Sequence, residues 1–351
     1  MEYAAVIIPT LNRKKHLKRC VDSLLRNKEC DKTDLYISVD FPPSEKYKEG
    51  YEEVKQYVKT IDGFGSVNIY FQEENLGPGL NRRFLESKMS EKHDKYVFTD
   101  DDNEFSSNFL SYVNWGLEYF KDDESVYAIC SCTDFDIDCD NKDSDYFMIQ
   151  SYNPYGTGHW IHKNKKCADY LKQSSIEEIY NSKEKSQLLF DHFPLIYMWV
   201  AQDSLRRIYE MRGANDSLTY IDIWENVYII QNGLNCVKPV IPKSRNWGQD
   251  GTGVHVSSNE KEDFVPKTCL DTEEWKSEPV RMEACEEEKN FQIFKNKKQI
   301  SKKEKTISDI LFYLNRSFGN KSVYSFYNAM KKTYKKVFRK KSNNTGEVKY
   351  G

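Results

Sequence analysis

The sequence predicts an α/β protein in which a mostly parallel sheet is flanked by helices and followed by a basic helical appendage. Short apolar runs alternate with segments of helical periodicity through the first 130 residues, and this alternation is typical of parallel sheets, whose strands are buried on both faces. Residues 291–341 contain 15 Lys and Arg against 2 Asp and Glu, whereas residues 1–290 contain 36 against 52. We therefore expect an acidic body and a basic tail that meets an anionic surface.

The composition excludes several classes of protein. Of 351 residues, 38% are hydrophobic and 14% aromatic, which is enough to bury a large core and excludes global disorder. No run reaches the roughly 18 apolar residues of a membrane-spanning helix, and the nine cysteines include no Cys-x-x-Cys pair and no zinc-type spacing. We expect a cytosolic protein with reduced thiols that is neither exported nor membrane-spanning.

Four strand-and-helix pairs are predicted in chain order. The strands are 3–10, 35–39, 67–71 and 95–99, and the helices that follow them are 14–26, 51–60, 79–88 and 108–120. After a fifth strand at 126–130 the pattern is less regular, with strands predicted at 146–150 and 236–241, a flexible loop at 153–158, and helical pieces at 176–180, 193–209 and 224–230. Ligands bind at the carboxyl ends of strands in such sheets, so the residues that follow each strand are the functional candidates.

An acidic triplet, Asp100, Asp101 and Asp102, directly follows the fourth predicted strand. Three adjacent carboxylates repel one another unless a cation or hydrogen-bond donors compensate them, and hard oxygen ligands suit Mg²⁺ or Mn²⁺ bridging a diphosphate. Most acidic triplets are solvated turns. The position of this one, at the exit of an apolar strand, favours a metal site.

Two other segments lie at strand ends. Residues 9–13, Pro-Thr-Leu-Asn-Arg, enter the first helix, where free N–H groups bind anions, although an ordinary N-cap explains the same residues. Residues 74–83 contain glycines that allow a ligand to approach and arginines that pair with phosphate, with a plain glycine turn as the alternative. No Gly-Lys-Ser/Thr occurs, so a Walker-type ATPase is disfavoured.

In this order, the segments VIIPTLNR, ENLGPGLNRRF and FTDDDNEFSSNFLSYV resemble those of the inverting family-two glycosyltransferases of the type A nucleotide-diphospho-sugar fold, over about the first 120 residues. The segment YIDIWENVYIIQNGLNCVKPVIPKSRNWGQDGTGVH is similar to bacterial capsule and lipopolysaccharide transferases and, distantly, to the N-acetylglucosaminyltransferase I type. It departs from its relatives at Ile221 and Ile223, where they have Trp and, in some cases, a second Asp.

The resemblance implies a set of site residues. Those at the nucleotide are Pro9, Thr10, Asn12 and Arg13 around the nucleoside, Asp40 at the base, Gly77 and Arg82 at the diphosphate, Asp101 at the ribose, and Asp100 in support of its neighbours. Asp102 would bind the metal ion, Mn²⁺ or Mg²⁺. The acceptor-side segment 155–160 would place Gly158, His159 and Trp160 at a sugar, with Trp160 as its platform.

An inverting transfer needs a carboxylate that deprotonates the attacking hydroxyl while the metal ion takes up leaving-group charge. Asp222 is the first candidate for this base. Glu225 and Asp203 are the reserves, and either is otherwise an ordinary helix-surface acid. His255 closes the glycine-rich loop 248–255 and is either a third metal ligand or a plain surface histidine.

Apolar residues recur at helical spacing among the lysines of the tail. They are Val323, Phe326, Tyr327, Met330, Tyr334, Val337 and Phe338. Such a helix is typical of an interfacial anchor on anionic lipid, and docking of the same stripe on the catalytic domain is the alternative. The sequence contains no nucleic-acid recognition motif.

We therefore expect a catalytic domain at 1–258, with a nucleotide-binding half at 1–130 and an acceptor half at 131–258. An acidic linker or surface segment at 259–290 and a basic amphipathic helical tail at 291–351 would follow.

The expected function is metal-dependent inverting transfer of a hexosyl or N-acetylhexosaminyl group from a nucleotide-diphospho-sugar, UDP-linked, to a glycan or lipid-linked glycan in polysaccharide biosynthesis. The enzyme would be peripheral on the inner face of the plasma membrane. A sugar-nucleotide nucleotidyltransferase and a non-catalytic scaffold are the alternatives, and formation of a homo-oligomer stays open.

Overall fold

A computed structural model shows two compact units in the chain. The first comprises Met1–Leu171 and Ser217–Lys298, and the second comprises Lys172–Asp216 and Gln299–Gly351. The residues that the structure describes are 2–133, 143–172, 178–179, 181–193, 196–201, 221–250, 252, 266, 268–297, 302–318, 325 and 329. The units divide the chain at other points than the expected boundaries at 258 and 290, because segments distant in sequence pack together in each.

Ten strands are found in the described part of the first unit. They are β1 Ala5–Thr10, β2 Asp34–Val39, β3 Ser66–Phe71, β4 Lys95–Phe98, β5 Asn103–Phe105, β6 Val126–Cys130, β7 Tyr146–Ile149, β8 Thr157–Trp160, β9 Asn235–Pro239 and β10 Ser244–Asn246. Eight form one sheet in the order β3-β2-β1-β4-β8-β6-β9-β7, in which β7 and β8 run opposite to the other six. β5 and β10 form a separate antiparallel pair.

Helices cover both faces of this sheet. The helices of the first unit are α1 Lys14–Leu25, α2 Lys48–Val58, α3 Gly77–Met89, α4 Phe109–Tyr119, α5 Ile161–Tyr170, α7 Ile221–Asn232 and α8 Ala284–Lys297, and those of the second are α6 Lys183–His192 and α9 Lys302–Phe318. Val6 and Ile8 of β1 lie in a core with α1, α2 and α4, whereas Ala5 and Ile7 lie in a second core with α3. Burial on both faces explains the continuous apolar runs, and the expected mostly parallel α/β fold is confirmed.

In the second unit, α6 and α9 pack through aromatic rings. Phe190 and Phe312 are stacked with their centroids 4.2 Å apart, and Tyr197 meets the edge of both. No helix in the part of the chain that the structure describes combines the length and apolar content needed to cross a membrane. The apolar stripe expected in the tail lies outside the described residues.

The expectation of a flexible loop at 153–158 is wrong at its end, because β8 begins at Thr157. This strand lies between β4 and β6, antiparallel to both. A Cβ at Gly158 would lie 2.7 Å from the side chain of Val113, so the glycine lets α4 approach the strand closely. Two glycines within six residues predict a turn from the sequence. In the structure, one of them, Gly158, lies inside the sheet because α4 packs closely on it.

The acidic segment before the tail packs on the first unit. Lys243, after β9, forms a buried ion pair with Asp271, which also accepts a hydrogen bond from Asn108. The ring of Trp275 lies against those of Tyr112 and Trp115 of α4, with centroids 4.8 and 5.2 Å away. Residues 271–275 are therefore an integral part of the surface of this unit, which the charge pattern alone did not indicate.

Lys163 of α5 holds the end of α4. It is buried, and its ammonium group donates hydrogen bonds to the backbone carbonyls of Phe120, Asp123 and Val126 at 3.3, 2.7 and 2.8 Å. The same nitrogen lies 4.0 Å from the centre of the Trp160 ring. A cation at this place is a charged donor to the carbonyls of the turn from α4 to β6, of which Phe120 and Asp123 also accept backbone N–H groups.

Replacing Lys163 by Met is therefore expected to lower the free energy of unfolding by about 2–4 kcal/mol, because three backbone carbonyls lose a charged donor at once. Denaturant unfolding monitored by circular dichroism measures this loss. Lys166→Met is the matched control: this lysine is exposed and, within the described part of the chain, pairs with the surface residue Glu124, so the substitution should change the free energy of unfolding negligibly. Equal effects of the two substitutions would contradict the role assigned to Lys163.

Candidate active site

The candidate site lies where β1, β2 and β4 end side by side. Thr10 is level with Val39 in the register of β1 and β2, and Ile7 is level with Phe98 in that of β1 and β4. The residues after these strands therefore meet at one edge of the sheet. The sequence predicts this edge correctly because parallel strands all end on the same side.

Asp101 is the central carboxylate of this edge. It is buried and accepts a hydrogen bond from the Thr10 hydroxyl at 2.7 Å, and the Arg13 guanidinium forms an ion pair with its other oxygen. Burial raises the pKa of Asp101, while Arg13 and Thr10 oppose that shift. Burial together with its two neighbours raises the pKa of Asp100 to about 7. Asp101 is thus placed by β1 and α1, not by its own loop alone.

Asp102 lies beside it and is held by a different part of the chain. Its carboxylate is 2.9 Å from Arg13 Nη2 and accepts a hydrogen bond of 2.6 Å from Asn246 Nδ2, and its carbonyl accepts one from the Trp247 N–H at 2.8 Å. A Cβ at Gly248 would lie 2.3 Å from Asp102 Oδ2. Residues 246–248 therefore pack directly on the triplet, and sequence reasoning missed both Asn246 and Gly248.

Residues 247–250 also contact α1. His16 Nε2 lies 2.9 Å from Asp250 Oδ2, and the Arg19 guanidinium lies 3.7 Å from the centre of the Trp247 ring. The indole N–H of Trp247 donates to Glu104 at 2.8 Å. Asp102 thus lies between the start of α1 and residues 246–248, which follow Asp102 by about 145 residues in the chain.

The side chains at the triplet can hold a divalent ion only if a bound substrate supplies further oxygen atoms. No group of three His, Cys, Asp or Glu side chains suited to a metal ion occurs among the described residues. Mg²⁺ and Mn²⁺ commonly take one or two carboxylates and complete their shell with substrate phosphates and water. Both Asp101 and Asp102 pair with Arg13, but the side chain of Asp102 is the more exposed, at 12% against 5%, and so fits this pattern better as the protein ligand. His255 lies outside the described residues.

Asp40 has a different role from the expected contact with the base. One of its oxygens accepts the N–H groups of Phe41 and Leu76 at 2.9 and 2.8 Å. The other accepts the N–H of Gly77 at 2.8 Å and the side-chain amide of Asn75 at 3.2 Å. Four donors occupy the roughly four lone-pair positions of a carboxylate, so none is left for a base. Asp40 instead caps the start of α3, where the φ of +72° at Gly77 favours glycine.

Arg82 is buried rather than directed to a diphosphate. Its side chain is 2% exposed, with Nε 2.8 Å from Glu86 and Nη2 3.2 Å from Glu225. Its guanidinium lies over the ring of Phe98, 4.0 Å from the centre. The expected contact between Arg82 and a donor phosphate is therefore not supported by this arrangement.

Glu225 is not a helix-surface acid. Its side chain is 2% exposed and accepts a hydrogen bond of 3.2 Å from the Tyr127 hydroxyl besides its pair with Arg82. Burial raises the pKa of Glu225 to about 7, because Arg82 serves two carboxylates and cannot compensate both fully. An acceptor hydroxyl cannot reach the Glu225 carboxyl while this side chain is buried. Glu225 is therefore a weaker candidate for the base than Asp222.

Asp222 lies in the first turn of α7, three residues before Glu225, and is half-buried. The helix is fixed there by Asn226, which accepts from the N–H of Tyr152 at 2.8 Å and donates to the carbonyl of Tyr152 at 3.1 Å. The other reserve base, Asp203, lies outside the described residues. Asp222 stays the first candidate.

The three expected sugar contacts on β8 are part of the core. Trp160 is 3% exposed, and its indole N–H donates to the Leu117 carbonyl at 3.0 Å. His159 is 1% exposed, stacks on Tyr96, and has its pKa lowered by burial and by Arg82. With Gly158 packed against α4, none of the three residues presents an exposed surface to a sugar, and the platform at Trp160 stays a prediction. Of the remaining expected residues, Pro9 is buried and Asn12 is half-buried.

The fold and the polar groups at the carboxyl edge of its sheet define a ligand-binding α/β domain. Residues 5–179 match the family model described as glycosyl transferase family 2. The chain therefore belongs to glycosyl transferase family 2 through this domain, and the expected family is confirmed. The finer likeness to capsule, lipopolysaccharide and N-acetylglucosaminyltransferase I enzymes stays a prediction.

Many solved structures match parts of the chain, among them the following three. S. aureus TarS matches with 18% identity and a TM-score of 0.27, over 36% of this chain and 21% of that one. The Pyrobaculum calidifontis mannosyltransferase PcManGT, in complex with GDP-Man and Mn²⁺, matches with 15% identity and a TM-score of 0.34, over 48% of this chain and 46% of that one. S. aureus TarS 1-349 matches with 14% identity and a TM-score of 0.31, over 45% of this chain and 47% of that one.

Each match thus spans less than half the length of the other protein. Among curated proteins none matches the chain. At TM-scores of this size the structures are no guide to the substrate of this protein.

The raised pKa of Glu225 gives a pH dependence of stability. The folded state holds the proton up to about pH 7, whereas the unfolded chain releases it near 4.5, so folding binds protons between these values. The free energy of unfolding should fall by up to about 3 kcal/mol from pH 4.5 to 7.

Thermal unfolding of the wild type and of Glu225→Gln across this range measures the effect. The wild type should lose stability relative to the variant as pH rises, and the difference should level off above pH 7. A constant difference between the two proteins would contradict burial of a titrating Glu225.

Proposed function

We propose that the protein is a metal-dependent inverting glycosyltransferase that moves a sugar from a UDP-linked donor to a glycan or lipid-linked glycan acceptor in polysaccharide biosynthesis. The observation that carries the proposal is the meeting of Asp101 and Asp102 with Thr10 and Arg13 at the edge of a family-two domain. A nucleotide diphosphate needs cationic and hydrogen-bonding groups, and this edge holds both.

The donor would lie across the ends of β1 and β4. Thr10 and Arg13 fix Asp101, so that its carboxylate is held for the ribose and does not swing with its loop. Asp102, with a diphosphate, would hold Mn²⁺ or Mg²⁺, and the ion would stabilise negative charge on the leaving nucleotide. Asn246 orients the Asp102 carboxylate through its hydrogen bond to Oδ1.

The acceptor would be deprotonated by Asp222. A chain of contacts relates this residue to the triplet: Phe98, two residues before Asp100, lies under the Arg82 guanidinium, which pairs with Glu225, one helical turn from Asp222. In a single displacement, a carboxylate oxygen of Asp222 takes the proton of the attacking hydroxyl as the sugar leaves the nucleotide. Arg82 and Glu225 hold the turn that carries it.

The decisive experiment combines binding and turnover. Thermal shift of the full chain against UDP, GDP and a panel of nucleotide sugars, with and without Mn²⁺, should show metal-dependent stabilisation by a nucleotide sugar. Asp222→Asn should lower kcat by about 10²- to 10⁴-fold with nucleotide binding retained, and Asp102→Asn should remove the metal dependence.

Asp22→Asn is the control, since this exposed residue of α1 pairs only with Lys18 among the contacts described. Formation of a sugar nucleotide from a sugar phosphate and a nucleoside triphosphate would instead identify a nucleotidyltransferase. The lack of any metal-dependent nucleotide binding would favour a scaffold.

The basic tail supports a second part of the proposal, association with an anionic membrane surface at the inner face of the plasma membrane. Each basic residue near such a surface contributes about 1 kcal/mol. Four lysines that engage it together would raise the partition coefficient by up to about a thousandfold.

Replacing Lys331, Lys332, Lys335 and Lys336 by Gln in the full chain should therefore abolish cosedimentation with vesicles rich in anionic lipid. The control replaces Lys28, Lys48, Lys121 and Lys166, all exposed on the first unit, and should cosediment as the wild type does. Binding should also weaken from 0.1 to 1 M salt, as the Debye length falls from about 10 to 3 Å. Salt-independent binding, or equal loss in both variants, would count against the lipid anchor.

A further inference from the structure

The Arg13 guanidinium already holds the place of a cation between two carboxylates of the triplet. The same nitrogen, Nη2, pairs with Asp101 Oδ1 and lies 2.9 Å from Asp102 Oδ2. Burial alone would lower the pKa of Arg13, but the pull of Asp101, Asp102 and Asp100 outweighs burial and raises it. The group is therefore a permanent positive charge at the site.

The two carboxylates differ in how firmly they hold this cation. The side chain of Asp101 is 5% exposed, and its second oxygen is fixed by the Thr10 hydroxyl. The side chain of Asp102 is 12% exposed, and its second oxygen is bound by Asn246. In the described part of the chain, the neighbouring cations Arg245 and Lys243 pair elsewhere, with Glu104 and Asp271. Asp102 is thus the partner that Arg13 releases more easily.

A divalent ion at Asp102 would compete with this guanidinium. Both would share the carboxylate of Asp102, one oxygen of which is bound by Asn246. Two cations a few ångströms apart would repel each other in a partly buried site. The repulsion is relieved when a diphosphate, with its several negative charges, lies against both. The ion and the nucleotide should therefore bind much better together than apart.

We propose that Arg13 is a resident counter-cation of the acidic triplet, which gives up Asp102 when a divalent ion binds and thereby makes binding of the ion depend on the nucleotide diphosphate. The inference rests on the proposed function in taking Asp102 as the metal ligand. In this inference, Arg13 controls binding of the divalent ion, in addition to the expected role of lining a nucleoside pocket.

The test measures Mn²⁺ binding to the full chain, by titration calorimetry and by the electron paramagnetic resonance signal of free Mn²⁺, with Mn²⁺ alone and with UDP. Arg13→Gln removes the charge, and Arg13→Lys keeps it. We expect Arg13→Gln to bind Mn²⁺ alone about tenfold more tightly than the wild type or more, and UDP to improve Mn²⁺ affinity much less in this variant than in the wild type. Arg13→Lys should stay within about threefold of the wild type.

A second readout guards against a folding defect. Without its counter-cation the triplet is repulsive, so Arg13→Gln should melt at a lower temperature than the wild type in the absence of metal, and Mn²⁺ should raise its melting temperature more. Unchanged or weaker Mn²⁺ binding by Arg13→Gln, together with an unchanged UDP effect, would overturn the inference.

Mn²⁺ binding by the variant Asp102→Asn distinguishes a failure of this inference from a failure of the proposed function. If the wild type binds Mn²⁺ and Asp102→Asn does not, the metal site stands and the Arg13 result judges the inference alone. If Asp102→Asn binds Mn²⁺ as well as the wild type does, with and without UDP, Asp102 is not the ligand, and both the metal role and the inference fall.

Discussion

The buried guanidinium of Arg82 is the interaction on which the arrangement of the candidate site depends. A charge that is 2% exposed is stable only if carboxylates compensate it, and here one comes from its own helix and one from α7, 143 residues further along the chain. Glu86 in turn accepts from the Tyr96 hydroxyl of β4, which itself accepts from Asn164 of α5. Four elements of the first unit are thereby fixed to one cation.

This network explains why the two halves of the site hold a fixed relation. The nucleotide side is built on β1, β4 and α1, and the base candidate is on α7. Arg82, which lies over Phe98 of β4 and pairs with Glu225 of α7, connects the two. A shared cation between two carboxylates leaves one negative charge in excess. Burial raises the pKa of Glu225 to about 7, and the neighbouring carboxylates add to this shift while Arg82 opposes it. The network is therefore sensitive to any substitution that changes its charge.

The charges of the acidic triplet are partly exposed, unlike those around Arg82. Its carboxylates lie at the edge of the sheet, where Arg13 compensates two of them and the segment 246–248 covers one. At Arg82 the charges are enclosed, whereas at Arg13 they are partly exposed and can exchange partners. A site that must accept a polyanionic ligand needs this second kind of balance, because a fully satisfied cluster has no affinity to offer.

The sequence by itself determined the order of the strands and helices in the first half of the chain, apart from the short strand β5, and the edge of the sheet at which residues 9–13 and the acidic triplet meet. Apolar runs and helical periodicity are local signals, and parallel strands direct their ends to one edge, so the triplet and residues 9–13 could be placed together correctly. The roles of single polar residues could not be read in this way. Whether a carboxylate or a guanidinium is free depends on partners far along the chain.

Asp40 shows this dependence, since its oxygens accept hydrogen bonds from N–H groups of the loop before α3. Arg82 and Glu225 show it too, because they form a buried ion pair across 143 residues of sequence. Only the tertiary structure decided that Trp160 is core, that Gly158 lies inside the sheet, and that Asn246 and Gly248 meet Asp102. Each follows from packing between segments many residues apart, whose contacts leave no periodic trace in the sequence.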